Sequence, residues 1–294
     1  MDNPNWLAER FEENRDRLRA VAYRMLGSPS EAEDAVQEAW LHLSRSDTGG
    51  VANLRGWLTT VVARVCLDTL RSRASRREES FGQHLPEPVA MREDGTDPER
   101  EAVLADSVGL ALLVVLDKLT PAERLAFVLH DMFAVPFEEI AAIVRRSPAA
   151  ARQLASRARR RVQGTSAVSA ARITQQQAVV DRFLTALRAG DLDALLAVLD
   201  PQVVRRADHV AVPAVAAREI HGAANVAKEA LTHADRARFA QSALVDGSVG
   251  IIVAPRGKLL IALRCKVAAG RIVEMDVIAD PDQLRRLDIS ILDH

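Results

Sequence analysis

Apolar residues recur at three- and four-residue intervals through most of the first half of the chain, and that period predicts helices. A first amphipathic helix is expected from about Ala8 to Leu26, stopped at Gly27. In "SPSEAE" Ser30 is the expected N-cap of the next, with Glu33 at the capping-box position. Its stripe is Ala32, Val36, Ala39, Trp40 and Leu43, which leaves Asp34, Gln37, Glu38 and Leu41 on the remaining surface. After the breaker "DTGGVAN", Asn53 or Gly56 precedes a third helix, with Leu58, Val61, Val62, Val65 and Thr69 inward and Arg64, Asp68 and Arg71 outward. The period is lost in "EESFGQHLPEPVAMREDGTDPERE", an acidic stretch holding Pro86, Pro88, Gly95 and Pro98, which reads as a linker.

Helices resume near Pro98. In "LTPAE" Thr120 is the expected cap, Pro121 opens the first turn and Glu123 closes a capping box. Leu125, Val128, Leu129 and Met132 carry that helix's stripe, and the turn "FAV" leads to "PFEEIAAIV" with Phe137, Ile140, Ala141 and Val144 inward. "RRS" then turns the chain into "AAARQLASRARRR", where Ser147 caps and Pro148 starts the helix. Ala151, Leu154, Ala158 and Val162 form one small apolar face, while Arg152, Gln153, Ser156 and Arg160 share another. Arginine and glutamine can present paired hydrogen-bonding groups to purine edges in a major groove. A solvated basic face would use the same residue types, but the preceding helix and three-residue turn supply helix-turn-helix geometry.

After Gly164 the pattern changes. "TQQQAVVDRFLTALRAGDLDALLAVLDP" reads as a helix pair around Gly190 and "HGAANVAKEALTHA" as another helix. Strand-like runs follow in "ARFAQSALV", "VGIIVA", "KLLIALRCKV" and "IVEMDVIA", separated by "DGS", "PRG" and "AAG". Helices followed by an antiparallel meander predict an α+β domain, its helices on one face of a curved sheet.

With 294 residues the chain has room for two or three domains. Cys66 and Cys265 each sit in an apolar segment without Cys/His ligand spacing, which predicts reduced core thiols and no metal. The charged start lacks an apolar signal core, and the run Val108 to Leu116 is too short to cross a bilayer, so a soluble cytoplasmic protein without membrane contact is expected. The net charge of −1 hides two basic patches: seven arginines and no acid between Arg145 and Arg161, and five arginines against Asp68 between Arg64 and Arg77. Residues 1–164 carry 23 basic and 25 acidic residues, net −2. Local basic surfaces on an acidic body imply DNA contacts too weak to act without a partner.

Three segments in order carry a family resemblance. "AYRMLGSPSEAEDAVQEAWLHL", "RGWLTTVVARVCLDTLRSRASRR" and "LTPAERLAFVLHDMFAVPFEEIAAIVRRSPAAARQLASRARRRV" resemble the polymerase-docking, minus-ten and minus-thirty-five segments of extracytoplasmic-function sigma factors of bacterial RNA polymerase. The second half resembles a SnoaL-like domain, a cone-shaped fold related to nuclear transport factor 2, most clearly in "FLTALRAGDLDALLAVLDP". "HLPEPV" is similar to the Leu-Pro-Glu-Pro motif of the sigma subgroup that carries such an extension. The chain departs from that pattern at "ADHVAVPA", where many relatives have Asp-Gly-Gly-Gly-Lys, and at Val65, where an asparagine often stands.

The resemblance implies two all-α sigma domains, a helical region 2 domain (1–77) and a helix-turn-helix region 4 domain (101–164). The linker 78–100 joins them, and an α+β SnoaL-like cone domain (165–294) follows. It implies contact with the clamp helices of the largest core polymerase subunit through Asp34, Gln37, Glu38, Trp40 and Leu41, plain core packing being the other reading of Trp40. Minus-ten DNA falls to Arg64, Asp68, Arg71, Arg73, Arg76 and Arg77, of which the last four suit phosphates, while Asp68 can equally neutralise its arginine neighbours. Minus-thirty-five DNA falls to Ser147, Ala149, Arg152, Gln153, Ser156, Arg157 and Arg160. Leu85, Pro86, Glu87 and Pro88 form an interdomain contact motif.

In the extension only Asp208, His209, His221 and Asp276 are candidate acid–base groups, and nothing in their spacing assembles a catalytic site. No catalysis and no cofactor are assigned; the expected role is regulation in place of a separate anti-sigma factor, with room for an unidentified small ligand. The competing reading is a one-component helix-turn-helix regulator that binds DNA without polymerase and carries a ligand-binding or catalytic SnoaL-like domain.

Overall fold

The computed structural model describes residues 4–45, 53–80, 109–164, 170–211 and 217–292. Three long helices open the chain: α1 (Pro4–Leu26), α2 (Pro29–Arg45) and α3 (Leu54–Ser80). Gly27 adopts φ 75° and ends α1. Ser28, rather than Ser30, precedes the proline that opens α2, and its Oγ faces the Glu31 amide at 3.5 Å. Glu33, expected to close a capping box, instead pairs with Arg15 of α1. Asn53 caps α3, its Oδ1 accepting from the Gly56 amide at 2.9 Å. The inner face of α3 is Leu58, Val62, Ala63, Cys66, Leu67 and Leu70, with Val61, Val65 and Thr69 only half-buried. Small Ala63 and Cys66 let the helix sit with that edge inward, a rotation that reading the largest side chains misjudged.

α4 (Leu110–Asp117) precedes α5 (Pro121–Phe127), which carries the expected capping box between Thr120 and Glu123 and runs into a π-turn over Val128–Met132. The helix-turn-helix consists of α6 (Phe137–Val144) and α7 (Pro148–Gln163). Arg145 takes a left-handed conformation, φ 56°, to reverse the chain between them. Ser147 Oγ accepts from the Ala150 amide at 3.2 Å and caps α7.

The described residues form two compact units. One holds α1–α3 with α5, α6 and α7 up to Arg159; the other holds the sheet and its helices together with α4 up to Val115 and the last turn of α7. In the first unit two of the C-terminal carbonyls of α1, which lack intrahelical donors, accept from arginines of other helices. Arg124 Nε donates to the Arg24 oxygen at 3.1 Å and Arg73 Nη1 to the Leu26 oxygen at 3.3 Å. Arg17 Nη2 donates to the Phe133 oxygen at 2.9 Å, and the guanidinium groups of Arg17 and Arg24 lie 5.2 and 5.4 Å from the Phe133 ring centre. A helix C-terminus is the negative end of its dipole, so cations are favoured there. Burial nevertheless pushes the Arg124 pKa down to about 10, with Arg73 adding to the shift and Asp117 and Cys66 opposing it.

The second unit contains α8 (Ala170–Ala189), α9 (Leu192–Val198), β1 (Leu199–Ala207), β2 (Glu219–His221), α10 (Ala223–Thr232), β3 (Ala240–Val245), β4 (Ser248–Val253), β5 (Ile261–Ala268), β6 (Arg271–Ile278), α11 (Pro281–Arg286) and β7 (Ile289–Ser290). The strand order is β2-β1-β6-β5-β4-β3-β7. The meander β3 to β6 is antiparallel, as its sequence predicts, but β1 joins β6 in parallel and makes the sheet mixed. β1 escaped the sequence reading because "LDPQVVRRA" places Arg205, a charged residue, at a position that the fold buries. That burial is compensated by an ion pair to Glu229 of α10. Val179, Val180, Phe183, Leu184 and Leu187 of α8 pack with Val249, Ile251, Val253, Cys265 and Met275 of the sheet. This is the α+β arrangement expected, helices over one sheet face.

The ends of the helix-turn-helix segment belong to the same unit. The Ala111 amide, in the first turn of α4, donates to Gln241 Oε1 of β3 at 3.0 Å. Leu113 packs so close to Gly257 that a β-carbon there would lie 2.8 Å from the leucine Cβ. The Ile291 amide donates to the Val162 oxygen at 3.0 Å.

Candidate nucleic-acid interface and polymerase face

α7 turns Ala151, Leu154, Ala155, Ala158 and Val162 inward. Arg152, Gln153, Ser156, Arg157 and Arg160 are all exposed, as are Ser147 and Ala149 at its start. Acidic residues of the same unit hold several of its arginines. Arg152 lies 3.1 Å from Glu138 of α6, and Arg159 pairs with Asp131. Arg157 Nε stands 3.4 Å from Oε1 of Glu123, a buried carboxylate whose Oε2 accepts from the Thr120 amide and hydroxyl. The capping box at the start of α5 therefore also fixes an arginine of α7.

On α3 the residues Arg64, Asp68 and Arg71 are exposed on one face. Asp68 stands 3.6 Å from Arg71, the local neutralisation that its spacing allowed. Arg73 departs from the other basic residues: half-buried, it binds Glu31 and the end of α1. Arg76 folds back on Ser72, with Nη2 donating to its Oγ at 3.1 Å. The side chain of Arg77, and the motif Leu85, Pro86, Glu87 and Pro88, lie outside the described residues.

Asp34, Gln37, Glu38, Leu41, His42 and Arg45 of α2 line one open depression of about 330 Å³. Leu41, 49 % exposed, is one of two large apolar side chains left in solvent among the described residues. Trp40 points elsewhere, its ring 5.1 Å from that of Phe11 and tilted by 58°, in the packing position.

In the sheet unit the Asp208 carboxylate accepts from four backbone amides, those of Val210, Ala211, Ala279 and Asp280, at 2.7 to 3.0 Å. Burial would raise its pKa, but these hydrogen bonds outweigh it and hold the carboxyl below its ordinary range. A group so held ties two loops together and is a poor proton acceptor. His209 stands 3.7 Å from Asp280, and His221 3.0 Å from Glu219. Asp276 lies opposite Arg206 and Arg264 in register. Among the described residues there is no cluster of His, Cys, Asp and Glu fit to hold a metal ion, and no helix long and apolar enough to cross a membrane.

The arginines that join α1 to the later helices were missed by sequence reading. Arg17, Arg24 and Arg124 sit in amphipathic helices like any surface arginine, and their partners lie about a hundred residues away.

Residues 10–76 match the family described as Sigma-70 region 2, and residues 109–162 match Sigma-70, region 4. The chain is 45% identical over 250 residues to the ECF RNA polymerase sigma factor SigJ of Mycobacterium tuberculosis (strain ATCC 25618 / H37Rv), covering 83% of this chain and 80% of the relative. It is 35% identical over 274 residues, 90% of each chain, to the Probable ECF RNA polymerase sigma factor SigI of Mycobacterium tuberculosis (strain CDC 1551 / Oshkosh). The crystal structure of Mycobacterium tuberculosis extracytoplasmic function sigma factor SigJ is similar over 94% of this chain and 97% of that one, with 38% identity and a TM-score of 0.45.

Proposed function

The chain belongs to the extracytoplasmic-function sigma factors of bacterial RNA polymerase, and from that premise we propose how its surfaces divide the work of promoter recognition. As a sigma factor it binds core polymerase and promoter DNA, which favours a polymerase subunit over a stand-alone regulator. α7 reads the minus-thirty-five element through Arg152, Gln153, Ser156, Arg157 and Arg160, with the N-terminus of the helix at Ser147 and Ala149 against the backbone. α3 meets the minus-ten element through Arg64, Asp68, Arg71 and Arg76, with Arg73 holding α1 in place. The exposed face of α2, centred on Leu41 and Glu38, docks on the clamp helices of the largest polymerase subunit.

The observation that carries this reading is the division of α7. From Ala151 onward its apolar residues Ala151, Leu154, Ala155, Ala158 and Val162 are buried, and Arg152, Gln153, Ser156 and Arg160 form one exposed face. Those side chains suit base edges, and the helix before it supplies the support that groove insertion needs. The α2 depression adds a second surface of different chemistry, with exposed Leu41 among polar and charged side chains.

The extension, residues 165–294, regulates rather than catalyses. Asp208, His209 and His221 are engaged in structural contacts, and the relatives of the chain are named as sigma factors. Its means of regulation is contact with the two ends of region 4, supported by Gln241 on Ala111 and Ile291 on Val162. Photo-crosslinking tests the assignment in the assembled holoenzyme. A benzophenone side chain at Gln153 should label promoter DNA near minus thirty-five, and one at Leu41 the largest polymerase subunit. Labelling of polymerase from both positions, with none of DNA, would overturn it.

A further inference from the structure

Arg152 is held from two sides by the helix that precedes α7. Its Nη2 donates to Glu138 Oε1 at 3.1 Å, and its Cζ lies 5.5 Å from the centre of the Phe137 ring. That ring is itself fixed: it stacks on His130 with centroids 3.8 Å apart and planes 28° from parallel. The His130 Nδ1 is in turn 3.0 Å from the Val135 carbonyl oxygen. A chain of contacts therefore runs from the backbone of the turn before α6 to a guanidinium on the exposed face of α7.

We propose that Glu138 and the Phe137 ring are positioning residues that set the plane of the Arg152 guanidinium for bidentate reading of one guanine in the minus-thirty-five element. This rests on the assignment of α7 to that element. An unrestrained arginine loses considerable side-chain entropy on meeting a base, and a planar fork addresses guanine O6 and N7 only when its plane lies along the base edge. One of the five N–H donors is spent on Glu138, and the remaining four are enough for the fork. The cation over the aromatic face limits rotation out of plane, and the carboxylate limits rotation within it.

The alternative role for Glu138, simple neutralisation, has the opposite sign. A carboxylate beside the DNA surface repels phosphates, so its removal would strengthen binding to every sequence alike. A positioning carboxylate, when removed, weakens the template that carries the guanine and leaves the others nearly unchanged.

The test uses full-length protein with core polymerase on a mapped promoter, alongside templates in which each minus-thirty-five guanine is replaced singly by 7-deazaguanine, which lacks the N7 acceptor. The parent should lose initiation by on the order of tenfold at one position. Arg152→Ala should be weak on all templates and insensitive to the substitution. Glu138→Gln and Phe137→Leu should fall to about two- to threefold sensitivity at that same position, while Phe137→Tyr, which keeps the ring, should retain the parent's sensitivity. If Arg152→Ala removes the sensitivity but Glu138→Gln and Phe137→Leu keep all of it, Arg152 reads the base unaided and the proposal is wrong. A uniform gain by Glu138→Gln on every template would overturn it equally. Should Arg152→Ala match the parent throughout, the assignment of α7 fails along with it.

Discussion

Arg124 Nε donates to the carbonyl oxygen of Arg24 at 3.1 Å, across a hundred residues of sequence, so that a helix preceding the helix-turn-helix closes the C-terminus of the first helix of the chain. The guanidinium is buried, with Asp117 3.7 Å away on its other side. Arg124→Met should keep most of the packing while leaving the Arg24 carbonyl without its donor, a loss of about 1–3 kcal/mol. Urea unfolding of the full-length variant measures this. A stability equal to the parent's would mean that the carbonyl finds another donor and that the contact is incidental.

The helix periods of α2 and α7 were legible in the sequence because each buries one stripe, and the caps at Thr120 and Ser147 were legible because they are local hydrogen bonds. β1 was hidden by the buried Arg205, whose partner Glu229 no strand pattern announces. The exposed faces of α2 and α7 were readable as the complement of their apolar stripes. The inward turn of Arg73 was not, since it depends on where the end of α1 lies in space.

Asp208 provides a prediction in pH. Its carboxyl is held below the ordinary range, so the stability it contributes is present above the unfolded carboxylate pKa and is lost as pH falls through the lower folded value. Asp208→Asn should lower stability at neutral pH by about 1–3 kcal/mol, since a neutral amide offers one acceptor oxygen to four amides held by a carboxylate. It should also remove part of the acid-dependent loss seen in the parent. Thermal melts of both proteins from neutral pH down to the acid range decide the matter; parallel stability curves would show that Asp208 does not titrate as described.

The α2 face predicts a binding defect without a folding defect. Glu38 is exposed and lies beside Leu41, so Glu38→Lys should weaken core polymerase affinity by about tenfold through charge reversal, and Leu41→Ala by several-fold through lost apolar contact. Competition for core enzyme between parent and variant, with helical content checked by circular dichroism, measures both. Unchanged affinity in both variants would remove this face from the interface.

Gln241 tests the link between the extension and region 4. Its Oε1 accepts from the Ala111 amide at the start of α4, a side-chain cap supplied from a distant strand. Gln241→Leu should cost about 1 kcal/mol, appear as faster amide exchange in α4, and alter promoter-specific output in the same direction as deletion of residues 166–294. Faster exchange with unchanged transcription would separate the cap from regulation.

The central claim, that this sigma factor selects promoters through the exposed face of α7, is tested most directly by run-off transcription with core polymerase from a mapped promoter. Parent protein is compared with Arg152→Ala and Gln153→Ala at matched core occupancy. Each lost bidentate contact is worth about 1–3 kcal/mol, so each variant should initiate on the order of tenfold or more below the parent while binding core polymerase equally well. Full initiation by both variants at the same start site would contradict the account.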